Sequence, residues 1–392
     1  MKPTISVVIP AHDSATTIVE ALESVLAQSV LTDEGERRDE GEKLKAERGK
    51  GSDEGGSAFA EATEHRKLRA ELEVIIVDDA SSDQTVAVVQ EWIEEHTTSA
   101  FPPQADPPVA DSLLPSSLPV TPSAFSLQPS SLLFPSSLPH LTFQLSALPH
   151  NLGPAAARNK GIQMATGDWI AFLDADDAWL PWRLDQQLRL ADQRPEVVLW
   201  CAGRIAFGDP LLQPPSTDIS TQFFGLTDLV ENNPITTTTV LVKKAVLDDV
   251  GGFDESFRGP EDYDLWMRIA SQFCMAKMDT PVCRYRQTVG SLSMDDRTFL
   301  PEVSRVLEKA YGAGGAMEDH PEWKRIAFST QHWNASWMAF QRGARGRAMA
   351  LWWRAWMLNL LAVRRIPRPW WPLLFRYMMG RRSLSGARQQ AG

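Results

Sequence analysis

Long apolar runs are missing from this 392-residue chain. No uninterrupted apolar stretch reaches the roughly 18 residues that a membrane-spanning helix needs. The apolar run before Pro10 is too short for a secretory signal. Cysteine is scarce. Cys201, Cys274 and Cys283 are an odd number without close pairing or metal-ligand spacing, and read as buried or incidental thiols in a reducing compartment. Glycine and lysine are absent from Pro10-Ala11-His12-Asp13-Ser14, the loop after the first apolar run, which argues against a glycine-rich phosphate cradle and hence a nucleotidyltransferase. The net charge of −11 disfavours nucleic acid as a partner. Acid is nevertheless missing from one place: no Asp or Glu follows Glu322.

The most informative stretch present is Gly167-Asp168-Trp169-Ile170-Ala171-Phe172-Leu173-Asp174-Ala175-Asp176-Asp177. Its apolar run reads as a buried strand, and it ends in three carboxylates within four residues. Open α/β sheets present ligands at strand ends. Clustered carboxylates repel one another, and oxygen donors of this kind suit Mg²⁺ or Mn²⁺. A solvated acidic turn entering the next helix would show the same letters.

Taken in order, Thr4 to Ile9 predicts a first strand, and Ile18, Leu22, Val25 and Leu26 fall at helical spacing. Residues from about 31 to 70 are dense in charge and poor in apolar side chains, which predicts an insertion without a core of its own. Leu72 to Val77 predicts a second strand, ending in Asp78-Asp79-Ala80-Ser81-Ser82-Asp83, with a helix after it. A Ser/Pro/Leu-rich segment at about 97–140 predicts neither helix nor ladder. Leu141 to Leu145 resumes the sheet. Asn151-Leu152-Gly153-Pro154 turns into an Ala-rich helix bearing Arg158. A helix from Pro181, strands at Val197–Ala202, Ile235–Val242 and Pro281–Arg286, and a helix from Gly259-Pro260-Glu261-Asp262 complete the pattern. Beyond Phe299 the chain reads as helical. Strand, loop and helix in repetition imply an α/β fold with a mainly parallel sheet.

Five motifs then coincide in order: Ser6 to Pro10; Val77 to Asp83; Asn151-Leu152-Gly153 with Ala157-Arg158-Asn159; Phe172 to Asp177; and Glu261 to Trp266. Together they resemble the family 2 glycosyltransferases of the GT-A fold. The resemblance covers about 4–96 and 141–293. It implies a Rossmann-like nucleotide-sugar-binding domain over 1–298, carrying the two insertions, and a helical C-terminal region over 299–392. It also implies transfer of a sugar from a nucleotide-diphosphate donor to an acceptor hydroxyl, with inversion, in envelope or extracellular glycan synthesis. Pro10, His12 and Asp13 match a nucleotide-contacting loop, where many relatives carry Tyr-Asn. Asp79, with Asp78 beside it, matches the acid that bonds the base. Arg158 matches a basic residue near the nucleotide. Asp174 and Asp176 match the metal-holding DxD pair, Asp174 also facing the ribose, with Asp177 as a supporting acid. Asp262 matches the catalytic base, with Glu261 next to it. Thr288 stands where relatives often carry a histidine that reaches the metal or diphosphate. A non-catalytic nucleotide-sugar-binding or scaffold protein on the same fold is the alternative.

Trp179 and Trp182, just past the carboxylates, offer stacking on a sugar or plain packing. Arg342 to Gly380 mixes Trp with Arg on helical stretches. That mixture suits an interfacial position on anionic lipid, and equally a hairpin packed on the protein with its arginines solvated. The first option implies a glycan or lipid-linked acceptor and a cytoplasmic protein peripheral to the inner face of the cell membrane.

Overall fold

The computed structural model describes residues 3–29, 70–98, 132–135, 140–209, 219–231, 233–286 and 295–358. Nearly all of the charged insertion, most of the Ser/Pro/Leu-rich one, Thr288 and the tail beyond Leu358 lie outside the described residues. The chain divides into two compact units, neither continuous in sequence. Met1–Phe223, Ile235–Gly252 and Cys274–Arg286 form the first; Phe224–Pro234, Phe253–Phe273 and Gln287–Gly392 form the second.

The first unit is built on one mixed sheet. Its parallel half consists of β1 (Thr4–Ala11), β2 (Glu71–Asp78), β4 (Leu141–Ala147) and β5 (Trp169–Phe172). The order is β4-β2-β1-β5. Successive strands first step outward from β1, and the chain then returns to lay β5 on the opposite side of β1. The direction of winding therefore reverses between β1 and β5, and the crevice for ligands in such sheets opens there, at the C-terminal strand ends. These strands are buried on both faces, which is why they read as continuous β-branched runs: Val7, Val8, Ile9, Val74, Ile75, Ile76 and Val77 are all inaccessible to solvent. Helix α1 (Ile18–Leu26) packs through Ile18, Leu22 and Val25, and α2 (Thr85–Thr98) through Val89 and Ile93.

Beyond β5 the sheet continues through β9 (Leu241–Lys243), β7 (Val197–Ala206), β10 (Cys274–Tyr285) and the two-residue β6 (Ala178–Trp179), with β8 (Thr221–Phe224) also on β10. The short strand expected at Pro281–Arg286 is the second half of the longer β10. Its pairing with β7 slips on either side of Pro281, which has no N–H to give the ladder. The strand expected over Ile235–Val242 is interrupted: Thr237–Thr239 form one turn of 3₁₀ helix before β9. Thr239 Oγ1 donates to the carbonyl of Thr236 (2.8 Å) and accepts from the N–H of Ala202 (3.2 Å), so its hydroxyl competes with the ladder for the backbone. The Ser/Pro/Leu-rich segment, expected to form no ladder, does form one. Leu132–Pro135 (β3) pairs antiparallel with β4, from Leu132 opposite Leu145 to Pro135 opposite Thr142. β4 would otherwise be an open edge, and a short strand ending in proline closes it.

Two glycines let helix and loop approach β1. On Gly161 in α3 (Pro154–Met164), a Cβ would stand 2.4 Å from Val8 Cγ1. On Gly167, at the entry to β5, it would stand 2.7 Å from the backbone nitrogen of Ser6.

The second unit is helical: α5 (Leu226–Glu231), α7 (Glu261–Ala270), α8 (Asp296–Ala310), a 3₁₀ turn at Pro321–Trp323, α9 (Lys324–Gln341) and α10 (Arg345–Leu358). Helices α4 (Arg183–Gln193) and α6 (Lys244–Val250) belong to the first unit. Helices α9 and α10 form a hairpin whose seam is small. Ala335, Ala339, Ala348 and Ala355 are buried, and the hydroxyls of Ser329 and Ser336 donate to the carbonyls of Ala355 (2.7 Å) and Ala348 (2.8 Å). Asp296, at the start of α8 and fully buried, pairs with both Arg342 and Arg347 around the hairpin turn. Burial works against its charge, but the two guanidinium groups outweigh burial and hold its carboxyl below the ordinary range.

Two substitutions test these supports. Gly167→Ala forces backbone apart and is expected to lower stability by about 1–3 kcal/mol in urea unfolding. Asp296→Ala is expected to cost on the order of 2 kcal/mol at neutral pH, by stranding two arginines. Because the folded pKa is depressed, this contribution is complete above the ordinary carboxylate range near about 4 and fades as pH falls through the lower folded value, so wild type and variant converge in acid.

Candidate active site

The acids expected from the sequence lie at the C-terminal ends of β1, β2 and β5, on either side of the point where winding reverses. Their first task is holding the loops. Asp13 adopts a left-handed backbone (φ 48°), as does Ala80 (φ 53°), both unusual for non-glycine residues. The Asp13 carboxylate accepts from the N–H of Ser82 (2.7 Å), its hydroxyl (3.1 Å) and the N–H of Asp83 (3.3 Å), while the Asp13 N–H donates to Ser81 Oγ (3.0 Å). Led by the Ser82 N–H, these bonds keep its carboxyl below the usual range. Asp78, buried, accepts from the N–H and hydroxyl of Ser81 (3.1 and 2.5 Å). Asp83 caps the entry to α2, accepting from the N–H of Thr85 (2.9 Å).

Asp79 turns the other way, across the sheet. Its two carboxylate oxygens each accept a backbone N–H, from Leu152 and Gly153, both at 2.7 Å. The end of β2 is thereby fastened to the turn that opens α3, where Gly153 takes φ 94° and Pro154 follows. His12 completes this fastening. Its Nδ1 lies 2.9 Å from the Asp79 carbonyl, which can only accept, so Nδ1 carries the proton and Nε2 accepts from Asn151 Nδ2 (3.1 Å). Pro10 is half-buried at the end of β1.

Helix α3 carries Arg158 to the end of β5. The side chain is nearly buried, and Nη2 donates to Asp174 Oδ1 at 2.8 Å. Asp174 begins a tight turn in which the N–H of Asp177 donates to its carbonyl (3.0 Å). Asp176 projects from that turn, half-buried. Burial first, and the charge of Asp174 second, push its carboxyl up. Asp177 is buried more deeply and pushed up for the same two reasons. It accepts the N–H of Arg286 (2.9 Å), the part of a supporting acid.

Two arginines not singled out from the sequence shape this turn. Arg286, just past β10, donates through Nε to the carbonyl of Asp176 (2.9 Å) and through Nη2 to Glu20 Oε2 (2.6 Å), and its guanidinium lies 3.8 Å over the ring of Phe207. Arg183, fully buried in α4, donates to the carbonyls of Phe172 (3.3 Å), Thr238 (2.6 Å) and Val240 (2.8 Å) and to Gln187 Oε1 (3.1 Å). It thus ties the last residue of β5 to the buried Thr turn. No local pattern announces either residue, because each acts on backbone distant in sequence. Trp179, offered as a sugar platform, is buried; Arg183 stacks on it at 3.7 Å and its indole N–H reaches the Thr238 carbonyl (3.1 Å), so it packs. Trp182 is half-buried, its indole N–H bonded to the Pro281 carbonyl (3.1 Å).

Glu261 and Asp262 belong to the second unit, in the first turn of α7, where the macrodipole favours acids. Glu261 is buried and accepts the N–H of Gly259 (2.8 Å). Asp262 is partly exposed, and its Oδ1 accepts the N–H of Tyr263 (2.6 Å). Trp266 behind them is core, with Leu265.

Among the described residues, no group of three or more His, Cys, Asp or Glu is placed to hold a metal. Mg²⁺ and Mn²⁺ do not require one, since a hard divalent ion is commonly held by one or two carboxylates together with substrate phosphates. Asp174 and Asp176 fit that description. They are hard oxygen donors on one turn, and the burial and mutual repulsion that raise Asp176 are what a cation would relieve.

Residues 142–251 match the family described as Glycosyl transferase family 2, and residues 218–314 match that described as Glycosyltransferase like family 2. Together the two matches span residues 142–314, and they support a family 2 glycosyltransferase. Similar sequences agree. A Haemophilus influenzae protein described as an uncharacterized glycosyltransferase is 25% identical over 168 residues, 40% of this chain and 56% of that one. The amylovoran biosynthesis glycosyltransferase AmsE of Erwinia amylovora is 33% identical over 129 residues, 32% of this chain and 46% of AmsE. The chain thus spans about half the length of these curated relatives. In fold, the chain is similar to the mannosyltransferase PcManGT of Pyrobaculum calidifontis, solved with GDP-Man and Mn²⁺. The TM-score is 0.51 at 18% identity, covering 97% of this chain and 86% of that one. The expected GT-A architecture, an α/β fold around a mostly parallel sheet, is the one observed.

Arg183 offers a test of how the carboxylate turn is held. Arg183→Met removes the donors to three interior carbonyls and is expected to cost more than about 3 kcal/mol in denaturant unfolding. Arg183→Lys is expected to recover little of it, because an ammonium lacks the planar fork.

Proposed function

We propose that this glycosyltransferase moves a sugar from a nucleotide-diphosphate sugar to an acceptor hydroxyl, with inversion at the anomeric carbon and with Mg²⁺ or Mn²⁺. The observation that carries the reading is the Asp174–Asp176 pair at the end of β5, with Arg158 bonded to Asp174 and Arg286 to the Asp176 backbone. When bound, the divalent ion supplies Lewis-acid stabilisation of the departing diphosphate. Asp174 and Asp176 hold it, and Asp174 also faces the ribose. Arg158 sets the position of Asp174, and its fixed positive charge favours an anionic ligand nearby. Pro10, His12, Asp13, Asp78 and Asp79 form the nucleotide-facing loops, with the bonds of Asp13 and Asp79 fixing their shape before a ligand arrives.

In the transfer itself, the acceptor oxygen forms its bond to the anomeric carbon as the bond to the diphosphate oxygen breaks. The leaving electron pair goes to the diphosphate, and the hydroxyl proton goes to the Asp262 carboxylate. Glu261 supports the acid turn beside it. On this reading residues 1–298 carry the catalytic machinery and 299–392 the helical appendage. AmsE is named for amylovoran biosynthesis, and PcManGT is solved with GDP-Man and Mn²⁺. The first agrees with a glycan acceptor and the second with a hexose donor. The reading also takes in a lipid-linked acceptor and an enzyme on the cytoplasmic side of the cell membrane, peripheral to it.

The test is a panel of nucleotide-sugars, with and without Mn²⁺, followed by transfer assays. Donor binding strengthened by Mn²⁺ is expected. Failure of every nucleoside diphosphate to bind at about millimolar concentration sinks the reading. Asp176→Asn is expected to abolish the Mn²⁺ enhancement. Asp262→Asn is expected to keep donor binding and lose transfer by about 10²–10⁴-fold; unchanged turnover removes Asp262 from its role.

A further inference from the structure

Helix α10 is apolar on two opposite faces. One face packs on α9 through Ala348, Leu351 and Ala355, all buried. Met349, Trp353 and Met357, four residues apart along the other face, are 42%, 54% and 61% exposed. They make up half of the exposed large hydrophobic side chains among the described residues, and Trp337 of the partner helix α9 is a fourth. A surface helix ordinarily carries polar groups opposite its packed side. A helix with two apolar faces calls for a second partner, and among the described residues α9 covers only one of them.

The charge around this face indicates what that partner is. From Trp323 to Leu358 there are six cationic side chains, Lys324, Arg325, Arg342, Arg345, Arg347 and Arg354, and no acid. Arg342 and Arg347 are paired with Asp296. Arg345 precedes Met349 by one helical turn, and Arg354 follows Trp353 directly; both are exposed. Tryptophan and methionine flanked by arginine match the boundary of an anionic bilayer, where the apolar side chains enter the acyl edge and the cations remain among the headgroups. A second copy of the chain would have to set this cationic face against itself in a two-fold contact, which like charge opposes. No described helix is long and apolar enough to cross a membrane, so the contact lies along the surface.

We propose that the Met349-Trp353-Met357 face of α10 is a docking surface for membranes rich in anionic phospholipid. The peripheral location proposed for the enzyme rests on this surface; sugar transfer does not. The test is sedimentation of the full chain with vesicles of phosphatidylcholine alone and of phosphatidylcholine with phosphatidylglycerol. Donor binding is measured on the same samples, and oligomeric state without lipid by light scattering. Expected are binding to the anionic vesicles only, weakening with salt, and a fall of at least about tenfold in Trp353→Glu/Met357→Glu with donor binding unchanged. Absence of binding to anionic vesicles, or equal binding by the double variant, overturns the proposal. So does a wild-type dimer that the double variant dissolves while vesicles bind neither protein. Vesicle binding without donor binding would keep this surface and remove the transfer reading, so the two fail separately.

Discussion

Like charges gathered at one edge of a sheet must be held by donors, and the first unit is organised around that constraint. Asp13, Asp78, Asp79, Asp174, Asp176 and Asp177 all lie at or just past the C-terminal ends of three neighbouring strands. Left to repel, they would splay the loops that carry them. The fold answers with fixed partners: backbone N–H groups for Asp13 and Asp79, a serine for Asp78, Arg158 for Asp174 and the Arg286 backbone for Asp177. For Asp176 and Asp177, burial and the charge of Asp174 outweigh these partners, and both carboxyls are pushed up. Unrelieved charge at an edge otherwise so well matched is a common mark of a ligand site.

The same partners serve as fasteners between elements. Asp79 joins the end of β2 to the start of α3, and α3 in turn delivers Arg158 to Asp174. Arg286 joins the carboxylate turn to the end of β10 and to Glu20 on α1. Arg183 joins β5 to the Thr turn. Groups that would hold a ligand are therefore fixed by bonds made within the fold, which is the condition for a site that needs little rearrangement on binding.

What could be read from the sequence followed from locality. The buried parallel strands betray themselves as β-branched runs, and the acids stand immediately after them, so the sheet and the carboxylate turn were both legible. The family resemblance supplied the order of the motifs. Arg183 and Arg286 were not legible, since their partners lie up to two hundred and sixty-six residues away in the chain and no local spacing encodes them. The Thr turn reads as strand because its threonines are strand formers by shape, yet the Thr239 hydroxyl bonds backbone instead. β3 is not legible because its four residues sit in a stretch whose serines and prolines argue for no strand. The seam of the α9–α10 hairpin was hidden in the opposite way: alanine and serine read as neutral, yet their small size is what lets the two helices meet.

The place where β3 joins the sheet has an evolutionary consequence. Leu132 enters opposite Leu145, which itself pairs with Ile76, only two residues short of Asp78. The chain between Thr98 and Leu132 thus returns to the sheet close to the level of the acids, on the outer side of β4. Lengthening such a connection is inexpensive, about 0.6 kcal/mol per doubling. Descendants of this sequence can therefore lengthen or shorten that connection while the strands and their carboxylates stay as they are.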